Sequence, residues 1–248
     1  MAGPLEGIKV VEMGVWVAGP SCAGILADWG ADVIKIEPPE GDPFRGLGAA
    51  FGAVMNPPFE LDNRGKRSIA LNLEVEDARY VAGDLIDAAD VFVSNMRPRA
   101  LERLGFSYER LSPANPGLVS CSVTGYGPDP AEANRAAYDV GAFWSRAGVV
   151  ASLTPAGHEP PLQRGGMGDH MTGASAAGAV AAALFARTRT GVGQRAAVSL
   201  TRIGLYMMGW DANTHLRARP PIVPPFSRDY APNPLINSFK DSEGRWFW

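Results

Sequence analysis

The stretch Arg164–Gly178, RGGMGDHMTGASAAG, sets one carboxylate, Asp169, between a glycine run and alanine-rich residues with helical character that continue to about Arg189. Three kinds of chemistry compete for an acid so placed. As a phosphate cradle the run fails: GGMG lacks the terminal Gly-Lys-Ser/Thr, and Asp169 would put a negative charge where the phosphate belongs. As a helix N-cap, Asp169 would accept backbone N–H groups at the positive helix end, which lowers a carboxyl pKa and keeps it ionised. As a nucleophile, an ionised carboxylate flanked by glycines that let a substrate approach closely suits attack on an acyl group. Capping and nucleophilic roles are compatible, and both stay open on these residues.

Other reactive side chains narrow the field. His158, His170 and His215 are the only histidines. His170 adjoins Asp169, but neighbours on a helix point about 100° apart, so it reads as a helix-start residue. No Ser-His-Asp set or G-x-S-x-G elbow is visible, which disfavours serine hydrolase chemistry. Cys22 and Cys121, the only cysteines, form no C-x-x-C pair, so neither a disulfide framework nor a zinc site is expected, and a reducing cytoplasm fits. Arg64, Lys66, Arg67, Arg97, Arg99, Arg103 and Arg135 gather near strand ends, where guanidinium groups can bind phosphate through two parallel hydrogen bonds. Taken singly, each is more often a solvated surface charge. The turn MGVWVAGP (13–20) lacks the G-x-G-x-x-G spacing, so an NAD site is poorly supported although Glu37 ends the next strand where a ribose ligand would sit. A helix start near Ala18 and Gly19 can still offer backbone donors to a ligand, or the turn serves packing alone.

The elements that must position these groups alternate. GIKVVEMG (7–14), DVIKIE (32–37), KRSIALNL (66–73), VFVSN (91–95), LVSCSVTGYG (118–127) and QRAAVSL (194–200) read as strands. Between them GPSCAGILADWG (19–30) suits a helix with Pro20 in its first turn, and EVEDARYVAGDLIDAAD carries Ala78, Val81, Ala82, Leu85 and Ile86 on one helical stripe. Ile203, Tyr206, Met207 and Trp210 mark a last amphipathic helix. The fold class is therefore α/β: a Rossmann-like, mostly parallel sheet with helices on both faces, whose sites lie beyond the carboxyl ends of the strands. Six prolines between Arg217 and Pro234 read as a linker, and LINSFKDSEGRWFW (235–248) as a hairpin around Asp-Ser-Glu-Gly. Three large residues at the terminus suggest that the chain stops inside a further domain. The 248 residues, 46% hydrophobic and 20% charged, are ordinary globular composition. A net charge of -3 without a basic run argues against nucleic acid, and the lack of a signal sequence or an apolar span against a membrane partner.

Five blocks, in order, resemble the class III coenzyme A-transferase (CaiB/BaiF) family, which includes formyl-CoA transferase and alpha-methylacyl-CoA racemase. They are PLEGIKVVEMGVWVAGPSCAGILADWGADVIKIEPPEGD, DNRGKRSIALNL, DVFVSNMRPRALERLGF, NPGLVSCSVTGYG and MGDHMTGASAAGAVAAALFARTRTGVGQRAAVSL. The resemblance implies a Rossmann-like large domain over 1–216, a linker over 217–234 and the beginning of a small domain over 235–248, in homodimers whose chains interlock. It implies an acyl-CoA and a free carboxylic acid as substrates, with no metal and no tightly bound cofactor. Asp169 in GDHMTG would be the nucleophile, passing through an acyl-aspartyl anhydride and an aspartyl-CoA thioester. CoA contacts would fall on Val17, Ala18, Leu71, Asn95, Met96, Arg97, Arg103, Arg135, Ala136 and Tyr138. Pro38 stands where formyl-CoA transferase has an arginine after KIE. Tyr138 precedes Asp139 where racemases carry the histidine of an HD pair, which favours transfer over racemisation. YDVGAFWSRAG looks more like members that handle bulky aryl or branched acids. A racemase-like enzyme and a CoA-binding fragment without activity are the alternatives.

Overall fold

The computed structural model describes residues 3–50, 52, 55–155, 157–218 and 233–248. Six parallel strands form one sheet: β1 (Lys9–Met13), β2 (Asp32–Glu37), β3 (Arg67–Ala70), β4 (Val91–Ser94), β5 (Val119–Thr124) and β6 (Arg195–Ser199). Their order is β3-β2-β1-β4-β5-β6, so the chain reverses direction across the sheet between β1 and β4. That reversal leaves a crevice beyond the carboxyl ends of these two strands. The α/β reading of the sequence is thus the observed architecture.

The central strands read as continuous apolar runs because helices cover both faces. Val10, Val91 and Val93 point to one face, where they meet Cys22 and Leu26 of α1 (Ala18–Asp28) and Ala176, Val180 and Leu184 of α8 (Met167–Thr190). Val11 and Phe92 point to the other. There they pack with Ala82 and Ile86 of α4 (Glu76–Asp87), Leu101 of α5 (Pro98–Leu104) and Leu111 of α6 (Tyr108–Ala114). Ala82 and Ile86 form the buried stripe of α4, with Leu85 half-buried; Val81, expected on that stripe, is exposed. Helices α1 and α8 approach so closely that a β-carbon on Gly173 would fall on Ser21 Oγ. Small residues at this crossing therefore set the distance of α8 from the sheet.

Shorter pieces complete the layer around the crevice. Helices α2 (Leu47–Ala50) and α3 (Pro57–Asn63) lie between β2 and β3, and a π-helical stretch, Val140–Arg146, leads to α7 (Val149–Leu153). The last apolar pattern forms two helices, α9 (Leu200–Met207) and α10 (Gly209–Ala218), where one was expected. Tyr206 and Trp210 are 85% and 86% exposed, because the buried side of α9 is Leu200 and Gly204, the latter pressed against Ala147 and Phe143. Most of the proline-rich linker, 219–232, lies outside the described residues. Beyond it, β7 (Phe239–Lys240) and β8 (Trp246–Phe247) pair antiparallel, and Asp241 closes the turn by accepting the amides of Glu243 and Arg245. No helix among the described residues is long and apolar enough to cross a membrane.

Candidate active site

The crevice at the reversal is built by two loops stitched together. Asn95, just after β4, accepts the Val15 amide at 3.0 Å and donates to the Val15 carbonyl at 2.7 Å. Gly14 and Gly19 permit this, since a β-carbon on either would crowd the Asn95 side chain at about the same 3.0–3.1 Å. Trp16 then turns the chain with φ 64°, a left-handed conformation unusual for a bulky residue and held here by Asp42, whose Oδ1 accepts the Trp16 amide. Its ring meets Tyr138 edge-on at 6.0 Å and Phe44 at 5.9 Å.

Nine of the eleven expected positions line one cavity of about 360 Å³ here: Val17, Ala18, Asn95, Met96, Arg97, Arg135, Ala136, Tyr138 and Asp169. Leu71 and Arg103 line an adjoining cavity of about 520 Å³, and Val15 and Met96 form walls of both. The basic loops divide. Arg64 pairs with Asp28, Arg67 with Asp32 and Lys66 with Glu12, so the cluster before β3 is neutralised within the fold. Arg97 and Arg103 make no ion pair with a described residue, while Arg135 lies over the Tyr126 ring at 4.9 Å and reaches Glu132 at 3.4 Å. Arg97, Arg103 and Arg135 are therefore the cations at the cavities. Glu37 lines the larger one but is held by Arg45 through two 2.7 Å bonds and by the Asp42 amide, which leaves it poorly placed to receive a ribose hydroxyl. The Arg45 hydrogen bonds, opposed by burial, keep its pKa below the usual range.

Asp169 departs from expectation in two linked ways. It is the third residue of α8, and the N-cap is Gly166, whose φ of 75° suits glycine. The capping carboxylate comes from elsewhere: Asp139 Oδ2 accepts the Gly168 amide at 2.9 Å and the Asp169 amide at 3.2 Å. Gly168 has no side chain because a β-carbon there would fall on Asp139 Oδ1 and Phe143. With the free amides already satisfied, burial and then the Asp139 charge push the Asp169 pKa up to about 7, partly offset by His170. The expected lowering by the helix end is overturned because desolvation and a like charge outweigh the dipole. Near neutral pH the protonated and ionised forms of this carboxyl are therefore both populated.

A model described as CoA-transferase family III matches residues 5–248. The chain belongs to that family. It is 37% identical to (R)-2-hydroxy-4-methylpentanoate CoA-transferase of Clostridioides difficile over 98% of its length and 61% of that protein. It is 34% identical to cinnamoyl-CoA:phenyllactate CoA-transferase of Clostridium sporogenes, covering 96% of this chain and 59% of the other. A crystal structure of a CaiB/BaiF family protein from Brucella suis superimposes with a TM-score of 0.87 at 32% identity, over 99% of this chain and 65% of that one. The family III chain thus spans about 60% of the length of the curated relatives it matches.

Several site residues of this family III chain escaped the sequence reading. Asp139 stands out in the sequence only as the neighbour of Tyr138, and nothing in its local pattern marks it as the cap of a helix that begins 28 residues later. Trp16, Asp42 and Asp62 carry no local signal either. Glu12 and Lys35 did carry one: each is a single charge between two apolar residues of its strand, Glu12 between Val11 and Met13 and Lys35 between Ile34 and Ile36. They are register partners across β1 and β2, 2.7 Å apart.

Proposed function

We propose that the chain carries the CoA-binding and nucleophilic part of an acyl-CoA:carboxylate CoA-transferase. The observation that carries this reading is the convergence of Asp169 with the two reversal loops and Arg97 and Arg135 on one cavity. An Asp169 oxygen attacks the thioester carbonyl, the C–S bond breaks, and CoA leaves as thiolate while an acyl-aspartyl anhydride forms. The thiolate next attacks the Asp169 carbonyl carbon, releasing the first carboxylate and leaving an aspartyl-CoA thioester. The acceptor carboxylate attacks that thioester, freeing thiolate and forming a second anhydride. Attack of thiolate on the new acyl carbon completes transfer and regenerates Asp169. No metal or redox group is needed for these steps. Arg97, Arg103 and Arg135 would hold the phosphates of CoA, as guanidinium groups do.

Branched and aryl 2-hydroxy acids are the acceptor class we favour. The names of the two relatives, with 2-hydroxy-4-methylpentanoate and phenyllactate, support it, as does the aromatic wall formed by Trp16 and Tyr138 beside Asp169. Incubation with such an acyl-CoA and a free carboxylate, then hydroxylamine, should convert Asp169 to its hydroxamate. An unmodified Asp169 peptide in the mass spectrum would count against transfer. Deuterium entering the alpha-carbon without CoA exchange would point to racemase chemistry, and CoA binding with neither to a binding fragment.

A further inference from the structure

The first turn of α8 lies between two buried carboxylates from different elements, and they are treated differently. Asp139, 8% exposed, forms no ion pair with a described residue: Oδ2 takes two amides, while Oδ1 is buried without a hydrogen-bond partner. Asp62 of α3, 1% exposed, meets His170 Nε2 at 3.0 Å. His170 directly follows Asp169, and its ring lies against the Gly166 cap, where a β-carbon would stand 2.8 Å from the imidazole. The charged groups around this imidazole are Asp62 from α3, Asp139 from the segment before Val140 and Asp169 on its own helix. Lys66 also acts on Asp62, but its Nζ is already bound to Glu12, the Pro20 carbonyl and Asn63. Three acids thus surround one imidazole that is committed to none but Asp62.

We propose that Asp62 and His170 form a positioning pair for the nucleophile: it ties the start of α8 to α3 and holds an imidazolium beside Asp169 that favours the ionised, attacking form. The pair rests on Asp169 being the reacting group. His170 does not line the cavity and acts only through Asp169 and Asp62. The directions of titration agree with the geometry. The hydrogen bond that His170 donates to Asp62 raises the His170 pKa against the effect of burial, and His170 in turn pulls the Asp169 pKa down against burial and Asp139. As a raised imidazole pKa requires, the pair's contribution to stability is full below the unfolded value and is lost as pH rises through the folded one.

Carbon-13 NMR of aspartate carboxyls in the full chain, without CoA, tests the pair directly, with the Asp169 signal assigned by Asp169→Asn. His170→Gln keeps a donor for Asp62 but removes the charge, and should move the Asp169 midpoint up by about one pH unit. Asp62→Asn should let the His170 midpoint fall toward the ordinary imidazole value, and wild-type His170 should titrate above that value. An Asp169 midpoint that stays put in folded His170→Gln overturns the proposal, as does a wild-type His170 that titrates at or below about 6.5. Hydroxylamine trapping on the same samples separates the two readings. Shifted midpoints with an Asp169 that is never modified would leave the electrostatic coupling of His170 to Asp169 standing but remove the transferase reading and, with it, the pair's positioning role. A modified Asp169 with unshifted midpoints would do the reverse.

Discussion

Two regions of this molecule bury acidic groups, and they do so in opposite ways. Between β1 and β2 every charge is answered. Lys35 Nζ lies 2.7 Å from Glu12 and 3.0 Å from Asp42 and donates to the Gly14 carbonyl, while Lys66 takes the other Glu12 oxygen at 2.7 Å. Burial pulls the Lys35 pKa down, but Glu12 and Asp42 together outweigh it and raise the pKa above the ordinary value. At the start of α8, among the described residues, the buried Asp139 and the half-buried Asp169 have the half-exposed His170 as their opposing cation, and the Asp169 pKa rises to about 7. Balanced charge makes a rigid support for the Gly14–Ala18 turn. Unbalanced charge leaves a carboxylate whose ionisation is costly.

The sharpest way to break this contrast is Asp169→Asn. Transfer should fall by about 10⁴-fold or more, measured as CoA exchange, while the folded state gains stability. A carboxyl whose folded pKa is raised loses stability as pH climbs from its unfolded value near 3.9 through about 7. The variant's advantage in urea unfolding should therefore be absent below pH 4 and reach the order of 2 kcal/mol above pH 7. Equal stability at pH 8 would mean that Asp169 is not electrostatically strained. In the balanced region the sign reverses. Glu12→Gln leaves two buried lysines without their shared partner and should cost about 3–5 kcal/mol at pH 7 by the same measurement. A smaller effect is expected at the unpaired cations: Arg97→Ala should weaken CoA binding about tenfold by calorimetry with little change in unfolding, the loss expected of the charge-assisted phosphate contact proposed for it. Smallest of all, Arg67→Ala removes an exposed pair with Asp32 and should alter stability by less than about 0.5 kcal/mol. A large loss there would show that exposure is a poor guide to which charges matter in this fold.

Much of the fold was legible because its signals are local. Apolar strands at Val10–Met13 and Val91–Ser94, turn glycines and the small-residue helix 167–190 each announce themselves within a few residues. The stripe at Tyr206 and Trp210 misled because periodicity records which residues share a helix side, while the close approach at Gly204 decides which side packs inward. At the site, glycines around Asp169 marked a place of close approach. They did not reveal that Gly168 makes room for Asp139 and Gly166 for the His170 ring.

The sequence by itself determined the alternation of strand and helix, the place of Asp169 near the start of a long small-residue helix and the family to which the chain belongs. Only the tertiary structure decided the electrostatic character of that aspartate. Its cap comes from residue 139, its neighbouring imidazole is held by residue 62, and its desolvation comes from the packed crevice. Backbone propensity depends on near neighbours and can be read along the chain. The energy of a charge depends on every group within several ångströms, and those groups meet only when the sheet has folded.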